Sequence, residues 1–328
     1  MRQQLRKIGV ACTLAVAAGA LCASATAAVP QAPKAHEVSP TPVAAKESSA
    51  VIFYDGFDGP LNQSLWQRAD IAPDGEKSQA QFLPENAYTE GGLLHLLSRR
   101  HCVPVGGTPN HLNVSVGTCT GNKVMRYSAG RVNGAFQTPA GINWEIRVAA
   151  LLPGNGVPGT RVAFWGRNNQ PYCKDSNTKT LLGEVDILEW HPEKENQGDS
   201  TTHMSCSASL AEPEPKRWAT KQAKSVPQFD DNQWYEWIAQ KIDNQVVYYL
   251  GSSATGYWHI GTHTCGEGSP PLDFSGGTCA AILNDPFHAI LQTDVFGPAG
   301  WAGHPAPSQF ANFPDQHALI DWISITQL

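Results

Sequence analysis

The stretch GEVDILEW, residues 183–190, places Glu184, Asp186 and Glu189 within six residues that otherwise read as a buried β-strand. A buried unpaired carboxylate is costly, and carboxylates close together also repel. A chain that is only 16% charged does not spend three acids this way without a use for them. Retaining hydrolysis of a glycosidic bond is such a use. It needs one carboxylate as nucleophile and one carboxylic acid as proton donor, about 5–5.5 Å apart. Neighbouring acids push their pKa values apart, so one stays ionised while another keeps its proton. Asp186, between the two glutamates, could hold a proton or hydrogen-bond the nucleophile.

The strand must bring those acids together. Glu184 and Asp186 are two apart and share a face. Glu189 is five after Glu184, which in a regular strand puts it on the opposite face. A β-bulge within Asp186–Glu189 would return it to the first face and leave Val185, Ile187 or Leu188, and Trp190 for the core. The sequence fits either a bulged strand with three acids in one groove or a regular strand with its acids split between faces. Even with the bulge, Glu184 and Glu189 start about 13 Å apart at Cα on a flat strand. Their side chains must lean together and the strand must curve. The bland alternative is a strand with a solvated polar face.

The surrounding texture supplies such strands. Short apolar or alternating runs recur between Gly, Pro and Asn: GGLLHLLS (91–98), NWEIRVAALL (143–152), TRVAFW (160–165), QWYEWIAQKI (233–242), QVVYYL (245–250), FHAILQTDVF (287–296) and ALIDWISI (318–325). In NWEIRV, Trp144, Ile146 and Val148 alternate with Glu145 and Arg147, a half-buried strand. Asp243-Asn244 between two runs predicts a hairpin turn. No long stretch has a helical period. Many short strands with Gly/Pro turns predict an all-β sandwich or barrel in one domain over 51–328.

Residues 1–28 have a basic start (Arg2, Arg6, Lys7), an apolar run and small residues near Ala27 and Ala28, a secretory signal peptide. Residues 29–50, rich in Pro, Ala and Ser, read as a disordered spacer. Without the signal, 20 basic residues face 29 acids, a net of −9. That balance, with no Lys/Arg cluster, argues against nucleic acid as partner. No later stretch is long and apolar enough to span a bilayer. Six cysteines remain in an exported chain, which suggests disulfides. Short loops favour Cys102–Cys119 and Cys265–Cys279, leaving Cys173–Cys206.

GEVDILEW resembles the active-site strand of glycoside hydrolase family 16, in the bulged form of endo-β-1,3-glucanases and several galactan hydrolases. VIFYDGFDGPLNQSLW, GGLLHLLS, YSAGRVNGAFQTPAGINWEIRVAALLPGNGVPGTRVAFW, QWYEWIAQKIDNQVVYYL, DPFHAILQTDVFGPAGWAG and LIDWISITQ follow that family's order of segments. The resemblance implies a β-jelly-roll sandwich, concanavalin A-like, with a concave substrate cleft and retaining hydrolysis of a β-linked polysaccharide, β-1,3-glucan first among them. It implies Glu184 as nucleophile, Asp186 as its helper and Glu189 as general acid/base, with no catalytic cofactor. His203 falls beside the catalytic strand and Trp165 where a cleft tryptophan stacks on sugar. Gln292 stands where the family usually has Asn, and Trp301 lies in a Gly/Pro-rich loop at the expected cleft edge. Asp321 matches an aspartate that can bind a structural calcium with backbone oxygens. Thr160-Arg161-Val162 replaces the usual Trp-Pro before Ala-Phe-Trp. The chain is expected to be a secreted monomer.

GNGVPG, 154–159, matches a dinucleotide fingerprint, but a strand follows it and Pro158 interrupts it, so it reads as a hairpin loop. Two other classes compete. A lectin-like sandwich needs aromatic platforms and has no use for three clustered acids. A polysaccharide lyase wants basic groups against a uronate, which an acidic strand opposes.

Overall fold

Among the described residues, alternation of apolar and polar residues builds seventeen strands into two sheets. The first sheet holds β1 (Ala50–Asp55), β3 (Ala80–Phe82), β4 (Ala87–Glu90), β5 (Leu93–Pro104), β6 (Lys123–Ala129), β8 (Trp144–Leu151), β13 (Trp234–Ile242), β14 (Gln245–Ser252), β15 (Gly256–Thr264) and β17 (Gln316–Gln327). The second runs in the order β12 (Pro215–Ala219), β11 (Gly198–Cys206), β10 (Gly183–Trp190), β9 (Thr160–Arg167), β16 (His288–Val295), β7 (Arg131–Gly134) and β2 (Trp66–Arg68). This is an all-β jelly-roll sandwich, as the sequence predicts. The computed structural model describes residues 49–73, 78–154, 156–170, 181–192, 198–206, 215–219, 232–265, 278–296, 307 and 310–328. The signal peptide, almost all of the spacer and Trp301 lie outside them. So does the expected Cys173–Cys206 pair, because Cys173 is not described.

The core sits between the sheets. Trp66, Trp144, Trp190 and Trp237 are sealed in it, with Val185, Ile187 and Leu188 from β10. Full burial of each apolar side chain contributes about 1.5–3 kcal/mol before entropy is counted. Trp190 therefore points away from the acids, as its alternation with Glu189 requires.

Three local readings meet the structure differently. The Asp243-Asn244 turn joins β13 to β14 as expected; Ile242 pairs with Gln245, and Asp243 takes φ +52°, which a short polar side chain tolerates. β8 is not half-buried: Glu145 and Arg147 are 4% and 3% exposed. They are buried because they are satisfied. Arg147 reaches Glu145 at 2.9 Å and Glu236 at 2.8 Å, and Gln240 donates to Glu145 at 2.7 Å. GNGVPG is not a hairpin loop either. β8 already has β13 and β17 as neighbours, so the chain crosses to the other sheet and continues as β9.

Two expected disulfides, Cys102–Cys119 and Cys265–Cys279, are formed. The second ties β15 to the short helix α1 (Thr278–Leu283), whose Ile282 and Leu283 enter the core. Ile282 packs on Gly183, the first residue of β10. A Cβ at Gly183 would collide with Ile282 Cγ2 and approach Phe287 Cζ to 2.9 Å. Glycine there lets β10 begin flush against the helix. Among the described residues no helix is long and apolar enough to cross a membrane.

Candidate active site

β10 carries one residue more than each neighbour. Against β9, Asp186 pairs with Trp165 and Leu188 with Phe164; against β11, Asp186 pairs with Thr201 and Glu189 with Asp199. The extra residue lies between Asp186 and Glu189, so the bulged alternative holds. Ser200 Oγ donates to the Ile187 carbonyl at 2.9 Å, which supplies a partner for a backbone group at the irregularity. Glu184, Asp186 and Glu189 consequently share the face of the second sheet turned away from the core.

The register brings neighbours to that face. Glu184 stands opposite His203 and Arg167, Asp186 opposite Trp165, and Glu189 opposite Ala163. On β16, Ile290, Gln292 and Asp294 pair with Trp165, Ala163 and Arg161. These side chains face away from the core, yet Asp186, His203, Gln292 and Asp294 are 3–5% exposed. They lie in a recess, not on an open surface. The glutamates are more open, at 19% for Glu184 and 15% for Glu189.

His203 Nε2 is 3.0 Å from Asp186 Oδ2 and 3.7 Å from Glu184 Oε1. Burial, and then the Asp186 charge, push the Glu184 carboxyl up to about 7, while His203 and Arg167 pull the other way. Glu189 is close enough to add to the upward push. Glu189 Oε1 accepts from Arg161 Nη1 at 2.8 Å and Oε2 from Thr201 Oγ1 at 3.4 Å. Arg161 Nη2 reaches Asp294 Oδ2 at 3.0 Å. Arg161, Thr201 and Asp294 did not emerge from the sequence as site residues. Alternation along TRVAFW puts Arg161 on the face of Trp165, and that signal alone could have found it.

Trp165 is turned to the recess, but it is only 8% exposed. Its indole N–H donates to Gln292 Oε1 at 3.4 Å, and the Arg131 guanidinium lies 5.2 Å from its ring centroid. The structure therefore brings together Glu184, Asp186, Glu189, His203, Trp165 and Gln292. Asp321 is elsewhere, on β17 of the other sheet, where the register slips between Ile320 and Trp322. Its Oδ2 is buried with no hydrogen-bond partner among the described residues, and burial together with Asp58 pushes its carboxyl up to about 6. An orphaned carboxylate oxygen beside a second carboxylate fits a hard cation with oxygen ligands.

A jelly-roll sandwich with a recessed row of carboxylates on one sheet defines the class of molecule. No family model matches the chain, and no curated protein matches its sequence. Solved structures share its fold. The catalytic domain of an endo-1,3-β-glucanase (laminarinase) from Thermotoga petrophila RKU-1 is 18% identical, with a TM-score of 0.57 over 86% of this chain and 98% of that one. A mutant of a non-specific endo-β-1,3(4)-glucanase from family GH16, co-crystallised with 1,3-β-D-cellotriosyl-glucose, is 16% identical, with a TM-score of 0.58 over 88% and 98%. A structure described under endo-acting O-glycanases that prominent members of the human gut microbiota express to initiate mucin breakdown is 18% identical, with a TM-score of 0.58 over 88% and 94%.

Proposed function

We propose that this chain is an endo-acting glycoside hydrolase that cuts a β-linked polysaccharide with retention, β-1,3-glucan being the first substrate to test. The β10 bulge carries the reading, because it returns Glu189 to the face of Glu184 and Asp186. Glu184 attacks the anomeric carbon, and Glu189 gives its proton to the departing oxygen. Water then enters, Glu189 takes its proton, and the Glu184 ester breaks. Glu184 must be ionised to attack, and its carboxyl is pushed up to about 7. His203, against both Asp186 and Glu184, offsets that push and holds Asp186 in place. Gln292 accepts from the Trp165 indole N–H, and Trp165 is assigned to stack against a sugar ring.

The fold neighbours support a carbohydrate substrate and leave the polymer open, since their names span glucans and mucin glycans. Two disulfides and the leader-like start support secretion. Asp321 would hold calcium as a structural ion remote from the chemistry. The enzyme is proposed to act as a monomer.

The test is reducing-end release from laminarin, mixed-linkage glucan, agarose and xyloglucan by wild type, Glu184→Gln and Glu189→Gln. Cleavage of one polymer, lost in either folded variant, supports the reading and names the substrate. Binding without cleavage by wild type would replace it with the lectin-like alternative.

A further inference from the structure

Behind the recess, a polar chain crosses the apolar core. Tyr248 on β14 and His263 on β15 belong to the first sheet, Thr202 on β11 to the second, and all three are buried. Tyr248 Oη lies 2.9 Å from the Thr201 carbonyl oxygen and 2.6 Å from Thr202 Oγ1. His263 Nδ1 lies 2.6 Å from the same Oγ1. A carbonyl only accepts, so the Tyr248 proton goes to Thr201. The Thr202 proton then goes to Tyr248, and the His263 Nδ1–H goes to Thr202. The three contacts can all be made only in this order. Burial, and then His203, push the His263 imidazole down to about 3, so Nε2 carries no proton and the ring is neutral.

An apolar contact between sheets tolerates sliding. A satisfied buried polar chain does not, because each displaced group would lose its partner away from water. The chain ends on β11 beside the β10 bulge. There the β10–β11 ladder jumps from Asp186–Thr201 to Glu189–Asp199, so strand pairing alone fixes β11 less firmly. Thr202 points into the core, and the residues on either side of it point to the acids. Thr201 Oγ1 donates to Glu189 Oε2 at 3.4 Å, and His203 Nε2 stands 3.0 Å from Asp186 and 3.7 Å from Glu184.

We propose that Tyr248 is a positioning residue: by bonding Thr201 and Thr202 from the core side, it holds β11 where His203 and Thr201 meet the acids. This rests on the hydrolase reading above and deepens it, since the double displacement itself uses neither Tyr248 nor His263. The effect on rate runs through Glu184. That carboxyl is faced by His203 from β11, Arg167 from β9, and Asp186 and Glu189 from its own strand. Of these, His203 is the one carried on the strand that Tyr248 holds. When β11 slackens, His203 retreats and eases ionisation of Glu184 less.

The experiment compares wild type, Tyr248→Phe, Thr202→Val and Thr202→Ser, each also in a His203→Ala background, with melting curves to establish folding. Tyr248→Phe and Thr202→Val keep the shape of the side chain and remove its hydroxyl; Thr202→Ser keeps the hydroxyl. The acidic limb of kcat/KM on laminarin should move up by about half a unit in both deletions, about threefold slower on the acid side and unchanged on the alkaline side. Thr202→Ser should follow wild type. With His203 already replaced, the same deletions should move the limb no further. A limb that stays in place while the melting point falls, or that moves equally in the two backgrounds, overturns the proposal and leaves the hydrolase reading standing. The His203 ring signal in ¹H–¹³C NMR, assigned by its loss in His203→Ala, gives a readout that needs no substrate. It should shift in Tyr248→Phe and keep its place in Thr202→Ser; a signal unmoved in Tyr248→Phe overturns the proposal. If wild type cuts none of the polymers, the hydrolase reading fails, and this signal still decides whether Tyr248 positions His203.

Discussion

His203 stands opposite Glu184 in the β10–β11 ladder, yet its Nε2 is nearer Asp186, at 3.0 Å against 3.7 Å. One imidazole thus serves two carboxylates and is the nearest group that eases ionisation of Glu184. His203→Ala should drive the Glu184 carboxyl further up and carry the acidic limb of kcat/KM above pH 7. A displacement of one unit would make the enzyme about tenfold slower on the acid side. A pH–rate profile on laminarin checks this. A profile that drops without moving would assign His203 a purely structural part.

Glu184 also costs the fold stability. Its carboxyl titrates near 7 in the folded chain against an ordinary 4.5. The folded state therefore binds the proton more tightly, and stability falls as pH rises from about 4.5 through 7. Glu184→Gln should be inactive yet melt higher than wild type at pH 8, by about a few degrees, and close to it at pH 4. Melting curves at the two pH values decide, and a lower melting point at pH 8 would contradict the burial argument.

Glu189→Gln keeps the size of the side chain and removes the transferable proton. Laminarin turnover should fall by about 10²–10⁴-fold. Release of dinitrophenolate in the first turnover should survive, because that group leaves unaided. Equal loss on both substrates in a burst experiment would remove Glu189 from the acid role.

Asp321 predicts an ion response with a definite pH window. Its carboxyl is pushed up to about 6, so without a cation stability is lost as pH rises from about 3.8 through 6. Calcium binds the ionised form. Added Ca²⁺ should raise the melting point at pH 7.5, do little at pH 5, and do nothing in Asp321→Asn. An unchanged wild-type melting point in millimolar Ca²⁺ would dismiss the site.

The acidic strand was legible only in part, because its sequence fits either a bulge or a regular strand with acids on both faces, and the register with β9 and β11 decides for the bulge. Val185, Leu188 and Trp190 belong to the core, and Glu184, Asp186 and Glu189 to the other face. The hairpin at Asp243 and two disulfides were legible because turn chemistry and short spacing are local. The Arg161–Asp294 contact was not, because it joins residues 133 apart through the β9–β16 register. The burial of Glu145 and Arg147 escaped because their partners Glu236 and Gln240 lie about ninety residues away. The path of GNGVPG escaped because a sequence does not say which sheet a strand joins.

The irregularity in β10 makes this strand a message read in two frames. Up to Asp186 the even positions face the recess and from Glu189 onward the odd ones do, and the one residue extra to the ladder between them is where the frame changes. Deleting Ile187 would erase that change. The shortened strand would alternate plainly, with Glu184, Asp186 and Glu189 on one face and Val185, Leu188 and Trp190 on the other, so the acids stay together while the packing of one apolar side chain is lost.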